Sequence, residues 1–275
     1  MSLREGGRAP GAETRGSLRV LVLAGAGMLL AVGSAHAQGK FPPDSLKNVQ
    51  ALPEGTTVKQ VVETMRGFTR ALGVRCTHCH VGTEGQPLET MDFAADSKPS
   101  KKTARQMIRM LQAINGEHLA RLAERADPNV TVSCATCHRG ITRPRSLIDE
   151  LLLAYRKEGA TAAAARFREL RERYYGDDAY DFGAVALTEV ANTLQEGGDM
   201  PGALMLLELN VELLPNSWFG LWQLAELRAD AGQTQAAIAA LERAVALKPR
   251  PDLVERLEVL RRKAAKPAPP EAPKP

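Results

Sequence analysis

Two short motifs constrain this 275-residue chain more than anything else in it. Cys76-Thr77-His78-Cys79-His80 and Cys134-Ala135-Thr136-Cys137-His138 repeat one pattern and use all four cysteines. C-x-x-C-H is the attachment signal for a c-type haem. Two thiols add to the two vinyl groups on one edge of the porphyrin. The two residues between them let one helical turn hold both sulfurs at that separation. The histidine that follows turns its imidazole to the iron as the proximal ligand. Three other uses of paired cysteines fit less well. A disulfide needs only an oxidising compartment, and a zinc site needs four thiolates. Here 54 residues separate the pairs, against roughly 15–20 in many zinc sites. A thioredoxin-like redox pair needs a βαβ context that the chain does not offer. None of the three explains a histidine after both pairs. The expectation is two covalently bound haem c groups.

The amino-terminal pattern supports haem attachment, which takes place outside the cytoplasm. Arg4, Arg8, Arg15 and Arg19 precede an apolar run from Val20 to Gly33, and Ala35-His36-Ala37 follows. A basic start, a short apolar run and an A-x-A site read as a signal peptide, residues 1–37. The run falls short of the roughly 20 residues a bilayer span needs. Cleavage after Ala37 leaves 238 residues, no transmembrane span and a net charge of +2 in place of +4. So small an excess argues against nucleic acid as a partner. The expected location is the bacterial periplasm or another exported compartment.

The composition is that of an all-α protein, rich in Ala, Leu, Glu and Arg. Between residues 38 and 145 the only aromatics are Phe41, Phe68 and Phe93. A domain of about 100 residues with so few large side chains does not easily fill its own core. A bound group is expected to fill part of it.

Candidates for the sixth iron ligand are few. His36 leaves with the signal peptide, His80 and His138 are proximal, and His78 lies inside its own C-x-x-C turn. Val58, Val61, Val62, Met65, Phe68 and Leu72 recur at helical spacing, with Thr56 or Thr57 as N-cap and Gly73 as stop. Met65 on that face is the candidate for the first haem, although a methionine on an apolar stripe is more often core. A second helix is expected from near Pro99 to about Ala126. Met107, Leu111, Ile114 and His118 fall on one stripe, with Met110 about 60° to one side. Spacing leaves Met107, Met110 and His118 all open for the second haem. The run Lys98, Lys101, Lys102 and Arg105 reads as a guide for an acidic partner or as a solvated face.

The order Met65, Cys76 to His80, Ala104-Arg105-Gln106-Met107-Ile108-Arg109-Met110, Ala113-Ile114-Asn115 and Cys134 to Gly140 resembles one half of the photosynthetic reaction-centre cytochrome c subunit. The resemblance covers about residues 57–144. That family carries four haems in two pseudo-repeats, each haem paired with a preceding helix that usually presents a methionine. The resemblance implies Met65 as distal ligand of the first haem. It implies Met107 for the second, with His118 and then Met110 behind it, because Arg121 stands where the family has a distal histidine. The chain departs in having two motifs rather than four, and in carrying a second domain.

That second domain repeats at 34 residues. Leu187 and Leu221, Gly198 and Gly232, Ala203 and Ala237, and Pro215 and Pro249 are each 34 apart, the tetratricopeptide period. The repeats run 184–217 and 218–250. Residues 147–174 read as a degenerate pair, with Gly159 and Ala164 five apart, and residues 251–263 as a capping helix. Asn210 and Arg228 depart from the usual pattern. Trp218, Phe219 and Trp222 are expected in the core. The full expectation is an all-α chain: signal peptide 1–37, a small two-haem cytochrome domain 38–145, a short tetratricopeptide solenoid 146–264 and a Pro-rich tail 265–275. Its expected work is electron transfer between a redox donor and acceptor, with a protein or peptide bound at the repeats. A diheme peroxidase, or an assembly scaffold with structural haems, is the rival reading.

Overall fold

The computed structural model describes residues 40–124 and 128–265. The expected signal peptide, and the tail beyond Ala265, lie outside the described residues. The described elements are helical, apart from an isolated antiparallel bridge between Val81 and Asp92.

α1 spans Val58–Leu72. Thr57 caps it: its hydroxyl accepts from the Gln60 N–H while the Gln60 side chain accepts from the Thr57 N–H. Such a reciprocal pair satisfies two donors that a helix start leaves without partners. Gly73 ends the helix in the left-handed region, at φ 63°. It also lets the chain cross close to Gly140, whose N–H donates to Ala71 O at 2.9 Å. A Cβ at position 73 would stand 2.1 Å from Gly140 O. The end of α1 is thus pressed against the turn that follows α3, Cys134–His138.

α2 spans Pro99–Ala113. Pro99 occupies the first turn as expected, with Lys98 as cap residue, and no side chain caps this end. The helix is shorter than its apolar pattern suggests. A widened π turn covers Ile114–His118, a 3-10 turn covers Leu119–Arg121, and Leu122 is extended. The cause is Asn115. Its amide donates to Leu111 O and Val132 O, and its carbonyl accepts from Val132 N–H. A side chain that bonds the backbone in this way competes with the regular ladder. The π turn also breaks the period that placed His118 on the Met107 stripe.

The carboxy-terminal half is a stack of antiparallel helix pairs. α4 spans Leu147–Tyr174, broken at Glu158 and Gly159, where the backbone leaves helical geometry. The break divides α4 into two helices, as the degenerate pair required. α5 (Ala184–Glu196) pairs with α6 (Met200–Leu213), and α7 (Trp218–Asp230) pairs with α8 (Thr234–Leu247). α9, Pro251–Ala265, packs on α8 and runs two residues beyond the expected capping helix, one residue into the expected tail. The small residues Ala164, Ala203 and Ala237 are buried. One apolar cluster gathers Leu151, Phe167, Leu187, Val190, Leu206 and Leu207, and a second gathers Leu221, Ala237, Leu241, Leu253 and Leu260. Val211 packs against both.

Trp218 and Trp222 are half-buried on the edge of the second cluster rather than inside it. Their rings stack 6.3 Å apart, and Lys248 and Arg250 lie over the Trp218 ring. Asn210 is buried. Its amide donates to Ala184 O and Thr188 Oγ1, while its own carbonyl oxygen has no protein partner. Arg228 pairs with Glu208 at 3.0 Å.

Candidate functional site

Both C-x-x-C-H motifs fold as single tight turns. Cys76–His78 forms a 3-10 turn that Cys79 closes on Cys76 O, and Cys134–His138 forms the short helix α3. Ser133 caps α3 through a reciprocal bond with Thr136. No disulfide joins any two of the four cysteines. Burial pushes the Cys79 and Cys134 thiols above their ordinary pKa. Among the described residues no group of three or more His, Cys, Asp or Glu side chains converges as a metal site, so the two cysteine pairs are not gathered together.

The two histidines are held alike. His80 Nδ1 lies 3.2 Å from Phe93 O, and His138 Nδ1 lies 2.9 Å from Ile141 O. A carbonyl only accepts, so each Nδ1 carries the proton and each Nε2 keeps its lone pair. A second partner on the far ring nitrogen is the usual way a ligating imidazole is oriented. Phe93 serves His80 twice, since its ring also meets the imidazole edge at 5.1 Å and Phe41 at 5.5 Å.

The Phe93 carbonyl sits in a strap of backbone fixed by a buried lysine. Lys101 is only 8% exposed. Its ammonium donates to Phe93 O at 2.9 Å, Ala94 O at 3.0 Å and Ala95 O at 2.8 Å, and lies 3.0 Å from Asp96 Oδ1. Asp96 also takes Arg105 at 2.9 Å, and Arg105 reaches Asn48 O. Hydrogen bonds from Arg105, Asn48 and Lys101 hold the Asp96 carboxyl well below the usual carboxylate range. Burial first, and Lys101 second, lower the His80 imidazole pKa below its ordinary value. The expected basic run is therefore divided. Lys101 and Arg105 are tied into the strap and present no free charge to a partner. Lys98 donates to Thr77 O, and Lys102 is exposed. A burial need overrode the surface reading, because three carbonyls in one loop require donors.

The sequence-derived ligand candidates lie on half-open faces. Val61, Val62, Met65, Phe68 and Leu72 of α1 are all half-buried. Met107 and Met110 of α2 are 45% and 51% exposed, and His118 is exposed. Among the described residues between 40 and 145, the buried apolar side chains are Ala51, Ala71, Met91 and Ile141. This donor set fits a haem at each motif: two thiols in one turn, an imidazole with an open Nε2, and an amphipathic helix carrying methionine. Sequence reasoning missed Phe93, Met91, Asp96 and the role of Lys101. Met91 is buried against Gly82. Only Asn115 left a signal, inside the Ala113-Ile114-Asn115 string.

The fold and the paired sites define a cytochrome c-like region followed by tetratricopeptide-like helical repeats. Residues 30–165, just under half of the chain, match the family described as the photosynthetic reaction centre cytochrome C subunit. Among curated relatives, the photosynthetic reaction center cytochrome c subunit of Rubrivivax gelatinosus is 37% identical over 108 residues, covering 34% of this chain and 28% of the relative. Cytochrome c-554 of Chloroflexus aurantiacus is 36% identical over 95 residues, covering 33% of this chain and 20% of the relative. The chain thus spans under a third of the length of these relatives. The likeness implies covalently bound haem c. Two solved structures are also similar. The first TPR of Spaghetti (RPAP3), bound to the HSP90 peptide SRMEEVD, has 16% identity and a TM-score of 0.31, over 44% of this chain and 91% of that one. The Sgt2 TPR domain from Aspergillus fumigatus has 19% identity and a TM-score of 0.32, over 46% and 85%.

Proposed function

We propose that the chain is an exported diheme c-type cytochrome that carries single electrons between a redox donor and a redox acceptor. The observation that carries this reading is the matched pair of C-x-x-C-H turns. Each has its histidine oriented by a main-chain carbonyl, Phe93 O for His80 and Ile141 O for His138. In this reading Cys76 and Cys79 hold one haem c, and Cys134 and Cys137 hold the other. His80 and His138 are the proximal ligands. Met65 is the distal ligand of the first haem and Met107 of the second, ahead of His118 and Met110. When bound, each haem supplies a ferric–ferrous couple, and a methionine ligand raises its potential relative to histidine.

The chain's own residues do the positioning. Phe93 and Ile141 fix the tautomer of each imidazole. Asn115 ties α2 to Val132, two residues before Cys134. The Gly73–Gly140 crossing ties the Met65 helix to the turn after His138. The thiols replace the apolar packing that residues 40–145 do not supply. The cytochrome part is residues 38–145, and the repeats, 146–264, serve as a docking surface for a protein or peptide. No helix among the described residues is long and apolar enough to cross a membrane.

The test is the absorption spectrum of the purified, exported protein, oxidised and reduced, with a count of haem per chain. Two low-spin haems with an iron–methionine charge-transfer band are expected, and Met65→Ala and Met107→Ala should each weaken that band. A band left at wild-type strength in Met107→Ala, with one haem turned high-spin in His118→Ala, would move the second ligand to His118. One high-spin haem that turns over peroxide would replace the carrier by a peroxidase. A protein without haem would end the reading.

A further inference from the structure

We propose that Lys101 sets the two haem sites at different potentials, making the His80 site the more easily reduced of the two. This rests on the electron-carrier reading above. The two proximal histidines share one design but differ in what else their carbonyl does. Ile141 O lies 2.9 Å from His138 Nδ1, and no cation bonds it among the described residues. Phe93 O lies farther from His80 Nδ1, at 3.2 Å, and also accepts the Lys101 ammonium at 2.9 Å.

A carbonyl already engaged by an ammonium is a poorer acceptor for an imidazole N–H. The imidazole then passes less electron density to its metal, which favours the ferrous state. The positive charge acts in the same direction, since it opposes the more positive ferric state. Little of that charge is screened by water, because Lys101 is almost buried. Two carboxylates face the same strap. Asp96 is shared between Lys101 and Arg105, so these three groups together keep one positive charge. Asp92 spends its carboxylate on the N–H groups of Ala94 and Ala95. At the His138 site the shorter, undivided bond pushes the other way. One electron then passes downhill from the His138 site to the His80 site, with no proton moved.

The experiment is a spectroelectrochemical titration of the full-length, haem-loaded protein. The wild type should reduce in two one-electron steps whose equilibrium constants differ at least tenfold, which is about 59 mV for one electron. Lys101→Met should lower the upper step about tenfold and leave the lower step within about threefold. Lys101→Arg keeps the charge and should hold the upper step within about threefold of wild type. If Lys101→Met does not load haem, Lys101→Gln is titrated in its place. A wild type that reduces in a single step overturns the proposal, whatever the variants do. So does an unmoved upper step in Lys101→Met, a shift of the lower step alone, or a Lys101→Arg shift as large as that of Lys101→Met. A wild type without haem refutes the carrier reading instead, which keeps the two failures apart.

Discussion

Gly73→Ala and Gly140→Ala place the same methyl group on two residues of positive φ, and the structure assigns them different costs. Gly73 sits at φ 63° and Gly140 at φ 87°. An L-residue in the left-handed region costs about 1–2 kcal/mol, and both variants bear that strain. At Gly140 the new Cβ meets nothing within 4 Å. At Gly73 it would lie 2.1 Å from Gly140 O, where ordinary contact begins at 3.4 Å. The carbonyl has to retreat by about 1.3 Å. That retreat breaks the 2.9 Å bond from Gly140 N–H to Ala71 O, worth about 1 kcal/mol net. Gly73→Ala should therefore cost about 2–3 kcal/mol in all, about 1 kcal/mol more than the roughly 1–2 kcal/mol of Gly140→Ala. Guanidinium unfolding of the haem-loaded protein, followed at the haem absorption, measures both through the midpoint shift at constant slope. Equal costs, within about 0.5 kcal/mol, would refute the reasoning. They would mean that α1 does not press on the turn after His138.

Three further outcomes follow from other parts of the fold. Asn115→Ala removes both bonds to Val132 and should cost about 2–3 kcal/mol in the same assay; a loss below about 0.5 kcal/mol would show that another contact holds the approach to Cys134. Asp96 has its carboxyl held below the ordinary value of 3.8 in the folded state. Its stabilising effect is therefore complete above about pH 4 and fades as the pH falls further, because the unfolded chain takes up the proton first. Asp96→Asn should narrow the difference between unfolding midpoints at pH 6 and pH 3, and an unchanged difference would count against the Lys101–Asp96–Arg105 arrangement. In the repeats, Leu206→Ala should cost about 3 kcal/mol, as a fully buried leucine does. Asn210→Ala should change stability by less than about 1 kcal/mol, because Ala184 O keeps the Thr188 hydroxyl and an unpaired buried oxygen is removed. A circular-dichroism melt separates the two, and equal losses would make the Asn210 amide a structural necessity.

Much of this protein was legible because its signals are local. The Thr57 cap, the Gly73 stop, the Pro99 start and the break at Gly159 each depend on residues within one turn of chain. The repeat spacing was legible for the same reason, since each helix pair is a local unit that recurs. Other readings failed where a distant residue intervened. The second helix stopped early because Asn115 bonds Val132, seventeen residues away. Lys101 read as a surface charge, yet it is buried under carbonyls six to eight residues before it. Trp218 and Trp222 read as core and stand at its edge, because the apolar centre beneath them is filled from α8 and α9.

The helical class, and the two C-x-x-C-H turns on which the haem reading rests, were already written in the chain. Two thiols and an imidazole meet one porphyrin at a short spacing, and tetratricopeptide-type helix pairs recur at a 34-residue period. The tertiary structure alone decided how the two sites differ. Phe93 lies thirteen residues beyond His80 and Ile141 only three beyond His138, so the first carbonyl is delivered by a long loop that needs a buried cation to hold it. No spacing rule carries that information, because the closure of a loop is set by what packs behind it.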